Sequence, residues 1–188
     1  MALALKSLNY ESIEVDTHNK PAELLALSAK GTVPVLVAGN EVLDESAGII
    51  DFLERSRATP ALLGSSTAVA LQSYSDKEIG PQIRDAIFIC REQPEAEWDH
   101  SVLSQCQRAW EQILEYLDTQ CSASGPWFLG DFPSIADCAL SARFALAQHY
   151  GLRGVDTHPK LSAWLTRLYQ SNAFQQACPT HIYNGLLP

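Results

Sequence analysis

The chain has 188 residues, 46% of them apolar, enough to bury a core in one sizeable domain or two small ones. Its 13 Lys and Arg stand against 22 Asp and Glu, a net charge of −9 with no basic run to reverse it, which excludes phosphate-backbone binding as its main business. No apolar segment is long enough to span a bilayer and MALALKSL is too short and lacks the basic flank of a secretory signal, so no membrane association and a cytoplasmic location are expected.

In chain order, MALALKSL carries Leu3, Leu5 and Leu8 with no cap residue ahead of them, and reads as the closing part of a helix whose beginning is missing. Tyr10 to Asp16 alternates, with Ile13 and Val15 inward, and predicts a strand. Pro21 then opens a helix at its first turn, with Asn19 or Lys20 near the cap, and Ala22 to Leu27 carries it. Val33 to Val37 reads as a strand, Gly39-Asn40 as a hairpin turn and Glu41 to Leu43 as the return, after which Ser46 begins a helix with Ile49, Ile50 and Leu53 at helical spacing. Pro34 has no N–H for a ladder, so it marks either an edge strand or a backbone left free for a ligand.

Arg55 to Thr67 is rich in Ser, Thr, Pro and Gly. Residues 57–67 are expected to link a mixed domain at 1–56 to a helical domain at 68–188. In the latter, Ala68 to Cys90 predicts one helix with Ile79, Ile83 and Ile87 in a row and a bend at Gly80-Pro81. After a loop with Pro94, Val102, Leu103, Cys106, Trp110, Ile113, Leu114 and Leu117 define an amphipathic helix closed by the Ser122 to Pro126 turn. In PSIADCAL, Ser134 can cap a helix while Asp137 reaches back to the Ser134 N–H, a structural device because no histidine is placed to complete a catalytic triad. A last helix runs from Pro159 to Gln170, followed by a helical turn around Phe174. The five cysteines, Cys90, Cys106, Cys121, Cys138 and Cys178, lie far apart with no metal-ligand spacing, and fit reduced thiols.

A β-α-β-β-α segment with V-P before its third element, E-S opening a helix, and an all-helical half with an S-x-A-D cap resembles the cytosolic glutathione transferases over nearly the whole chain. NKPAELLALSAKGTVPVLV is similar to omega-type and related bacterial members, and WFLGDFPSIADCAL and HPKLSAWL are similar to the family's later helices. The resemblance implies an α+β N-terminal thioredoxin-like domain, incomplete because its first strand is missing, followed by an all-α C-terminal bundle. It implies glutathione as cosubstrate. The bond before Pro34 would be cis, Val33 would pair its backbone with the cysteinyl part, Ser46 would meet the γ-glutamyl carboxylate at a helix N-terminus, Glu45 the γ-glutamyl ammonium and Lys20 the glycyl carboxylate. Taken singly, Glu45 and Ser46 also read as a cap and first-turn acid, Lys20 as a surface lysine and Pro34 as an edge-strand residue.

In the family, the activating Cys, Ser or Tyr sits on a strand and loop for which this sequence has no counterpart ahead of Met1, and none of its five cysteines matches that position. No catalytic residue and no metal ligand is therefore identified in this chain. The expected function is glutathione-dependent transfer or thiol–disulfide exchange on a small electrophile or disulfide, with a noncatalytic glutathione-binding or interaction scaffold as the alternative. By resemblance the protein is a homodimer, with an electrophile pocket between the domains lined partly by the helix around Ile79 to Ile87.

Overall fold

The computed structural model describes residues 1–16 and 19–186. Helix α1 (Ala2–Leu5) is short, and the chain beyond it, Leu8 to Asp16, forms no regular structure. This corrects the expected strand at Tyr10 to Asp16. Alternation supplies the pattern of a strand but no ladder partner, and Ile13, expected inward, is 77% exposed. Helix α2 (Ala22–Leu27) follows, with Pro21 itself in the cap position rather than inside the first turn, because its fixed φ of −66° enters the helix from an extended ψ of 150°.

The sheet of the described residues is a hairpin of β1 (Leu36–Ala38) and β2 (Glu41–Leu43). Val37 stands opposite Val42 and Ala38 opposite Glu41, so Gly39-Asn40 is the two-residue loop that was expected. Gly39 has φ +60°, the left-handed value that such a tight loop demands. The expected strand from Val33 begins only at Leu36; Val33, Pro34 and Val35 lie outside the ladder. Helix α3 (Ser46–Ser56) returns over the hairpin with Ile49 and Leu53 buried.

The segment expected as a linker is fastened at several points. Lys6 Nζ, wholly buried, donates to the carbonyls of Arg57 at 2.6 Å and Pro60 at 2.9 Å and pairs with Glu54 at 2.8 Å. Arg57 Nη1 donates back to the Lys6 carbonyl at 2.8 Å, and the Ile135 N–H donates to the Leu62 carbonyl at 2.9 Å. A buried ammonium is tolerable only when its donors are all met in this way.

Beyond residue 65 the regular elements of the described chain are helices, joined by loops. Helix α4 (Ser66–Tyr74), a π-turn (Ser75–Ile79) and α5 (Gly80–Glu92) run on as one rod. The irregularity expected at Gly80-Pro81 is this π-turn, one turn earlier; the wider turn accommodates a proline that has no N–H and whose ring crowds the carbonyl four residues before it. Helix α6 (His100–Gln120) is capped by Asp99, which accepts from the N–H groups of Ser101 and Val102. Helices α7 (Ile135–His149), α8 (Pro159–Gln170), α9 (Asn172–Ala177) and α10 (Thr180–Tyr183) complete the bundle.

Its core is a chain of edge-to-face rings: Trp110 on Phe144 at 4.9 Å, Phe144 on Trp164 at 5.5 Å and Trp164 on Phe128 at 5.0 Å between centroids. Beneath them lies Asp137. Its Oδ1 accepts from the Phe128 N–H at 2.8 Å and the Trp164 indole N–H at 3.0 Å, and its Oδ2 from the Ser134 N–H at 3.0 Å and hydroxyl at 3.1 Å. Burial pushes this carboxyl above the usual range, and the four donors act against that shift. The expected local cap is thus also the joint between α7, α8 and the preceding loop.

Candidate functional site

Residues 31–46 present main-chain atoms that the fold leaves unused. The Val33–Pro34 bond is cis, as expected. Val33 is 49% exposed, and among the described residues its N–H and carbonyl have no hydrogen-bond partner. At the start of α3, Ile49 is the first residue whose N–H finds an acceptor, the Glu45 carbonyl at 3.0 Å. The N–H groups of Ser46, Ala47 and Gly48 have none among the described residues, and Glu45 in the cap position makes no side-chain capping bond. Free donors and the positive end of the helix dipole at an exposed serine suit a carboxylate.

The charged candidates flank this segment. Glu45 Oε1 is held at 2.6 Å by Lys30 Nζ, both side chains being exposed, and the carboxylate raises the Lys30 pKa through this hydrogen bond. Lys30 was not singled out from the sequence, because nothing in its local pattern separates it from a surface lysine. Lys20 is exposed and folds over Gly31, so that a Cβ placed on Gly31 would stand 3.1 Å from Lys20 Cδ and 3.4 Å from Nζ. Gly31 has φ +58° and would also meet Leu25 at 2.8 Å, so both its conformation and its neighbours favour glycine there. Ser28 Oγ donates to Asp44 at 3.4 Å, a further tie between the loop before the hairpin and the turn into α3.

The five thiols all belong to the helical half. Burial pushes Cys121 up to about 11 and Cys138 up to about 12, and raises Cys90 and Cys178 as well, so these four are protonated near neutral pH. No group of three or more His, Cys, Asp or Glu able to hold a metal occurs among the described residues.

Two cavities open on the helical half. One of about 170 Å³ is lined by Asp76, Gly80, Arg84, Ile87, Phe88 and Arg143, on the rod of the π-turn and α5 that was expected to line an electrophile pocket; these walls all come from the helical half. The other, about 430 Å³, lies among α5, α6 and the turn after α7, with Trp98, Leu103, Arg108 and Tyr150 in its lining. Arg84 and Arg143 were not foreseen: they are distant in sequence, and only the packing of α7 on the π-turn brings them together.

Comparison with known proteins gives two family matches, glutathione S-transferase N-terminal domain over residues 1–56 and glutathione S-transferase C-terminal domain over residues 71–172. A maleylacetoacetate isomerase of Pseudomonas aeruginosa is 29% identical over 198 residues, covering 96% of this chain and 89% of the relative. Among solved structures, a glutathione S-transferase from Rhodospirillum rubrum superposes with a TM-score of 0.81 at 21% identity over 99% of this chain and 92% of its own. A holo maleylpyruvate isomerase, a bacterial zeta-class glutathione S-transferase, does so with a TM-score of 0.76 at 25% identity, over 96% of this chain and 90% of its own.

Proposed function

Because the chain belongs to the glutathione S-transferase family, we propose that it binds glutathione along residues 31–46 and uses it as cosubstrate in a transfer, isomerisation or thiol–disulfide exchange on a small electrophile or disulfide. The observation that carries this reading is the run of N–H groups from Ser46 to Gly48 that, like the main chain of Val33 a few residues earlier, have no partner among the described residues. Val33 would take the cysteinyl backbone in strand fashion beside Pro34, whose missing N–H leaves no ladder bond to compete. Ser46 would take the γ-glutamyl carboxylate, Glu45 the ammonium through the oxygen that Lys30 does not hold, and Lys20 the glycyl carboxylate. In a transfer or a thiol–disulfide exchange the glutathione sulfur attacks as thiolate, its proton going to solvent and its electron pair forming the new bond as the leaving group departs with the pair of the bond that breaks; in an isomerisation the thiolate adds to the substrate and is itself expelled once the geometry has changed.

A second reading, a noncatalytic glutathione-binding or interaction scaffold, is supported by the burial that keeps Cys90, Cys121, Cys138 and Cys178 in the thiol form. Titration of glutathione run beside conjugation, isomerisation and disulfide-reduction assays separates the two. Saturable binding with turnover supports the enzyme, binding without turnover the scaffold, and absence of binding contradicts both. A homodimer and a cytoplasmic location belong to this proposal; among the described residues no helix is long and apolar enough to cross a membrane.

A further inference from the structure

The π-turn builds a cradle for one guanidinium. Arg143, on α7, reaches the rod opposite: its Nε donates to the buried Ser75 hydroxyl at 3.3 Å and its Nη2 to Asp76 at 3.1 Å. Ser75 is itself tied to α7 through the Ala139 carbonyl at 3.3 Å. The guanidinium lies directly on Gly80, where a Cβ would stand 3.0 Å from Cζ and Nη2 and 3.1 Å from Nη1. These bonds fix the plane of the group and leave both N–H groups of Nη1 and one of Nη2 without a partner among the described residues. Arg84, exposed one turn further along α5, lines the same cavity of about 170 Å³, likewise without a partner for its guanidinium among the described residues. Asp76, the one carboxylate of the lining, offsets one of the two positive charges, and Ile87 and Phe88 supply an apolar wall.

We infer that Arg143 and Arg84 form a carboxylate-binding subsite for a small ligand that carries an acid group on an apolar body. The subsite stands on the cradle and is independent of the glutathione reading. In a chain of net charge −9, a pocket with two guanidiniums and a single carboxylate selects an anion rather than a cation. Arg143 supplies oriented donors, Arg84 the second charge, and Ile87 with Phe88 the contact for the carbon skeleton.

The test is calorimetric titration of trans-cinnamate and of its neutral isostere cinnamamide into the full chain, with no glutathione present. The wild type is expected to bind the acid about tenfold more tightly than the amide, the scale of one charge-assisted hydrogen-bond pair. Arg143→Gln should abolish that preference and Arg84→Gln should reduce it. Gly80→Ala, which leaves both charges in place, should reduce it too by displacing the guanidinium, and serves if Arg143→Gln fails to fold. Equal affinity for acid and amide in the wild type, or a preference kept in both arginine variants, overturns the subsite. Glutathione is titrated separately: an acid preference without any glutathione binding supports the subsite and contradicts only the proposed binding of glutathione.

Discussion

The Lys6 ammonium, on a wholly buried side chain, lies 2.8 Å from Oε1 of Glu54, the oxygen that also accepts the Leu62 N–H at 2.9 Å. With the carbonyls of Arg57 and Pro60 as its other acceptors, Lys6 joins the end of α1 to the end of α3 and to the segment leading into the helical half. Replacing it by Ala strands one carboxylate and two carbonyls. The expected loss of stability is about 3–5 kcal/mol, the range for removing one partner of a buried ion pair, measured by denaturant unfolding. A loss below about 1 kcal/mol, the ordinary yield of a surface pair, would show that the network is not a joint.

Asp137→Ala removes the acceptor for the Phe128, Ser134 and Trp164 N–H groups at once. Each buried donor left unmet costs roughly 1–3 kcal/mol, so the variant should lose about 3 kcal/mol or more and shift the Trp164 fluorescence. Loss of a helix cap alone would cost about 1 kcal/mol and leave the fluorescence unchanged.

His149 titrates below its ordinary value, first because it is desolvated and then because His181 stands nearby, their rings 6.0 Å apart. With the folded pKa depressed, the unfolded chain binds more protons in that window, and stability falls as pH drops through the ordinary histidine value toward the folded one. Histidine-resolved NMR should show the low pKa of His149, and His181→Gln should raise it. An unchanged His149 titration in that variant would remove His181 as a cause.

The cap at Ser134 and Asp137 was legible because a capping pattern is local in sequence, whereas the bond from Trp164 to the same carboxylate spans 27 residues and leaves no local trace. Lys6 was invisible for the same reason: in MALALKSL it reads as the polar face of a short helix, and its acceptors lie some 50 positions away. The hairpin at Gly39-Asn40 was readable from turn chemistry. The strand at Tyr10 to Asp16 was not, since pairing is a property of two segments and its alternation described only one. At the candidate site, the Val33–Pro34 geometry and the open start of α3 followed from the family resemblance. The Lys30 contact to Glu45 and the Arg143 cradle depend on side chains that only packing brings together.

The central claim is that glutathione docks on residues 31–46. Isothermal titration of glutathione into the wild type and Ser46→Ala tests it most directly, because the serine hydroxyl offers the γ-glutamyl carboxylate one charge-assisted bond and has no structural bond among the described residues to lose. The account predicts saturable one-site binding by the wild type and an affinity about tenfold lower in a folded Ser46→Ala. No binding by the wild type, or equal affinity in the two proteins, would contradict it.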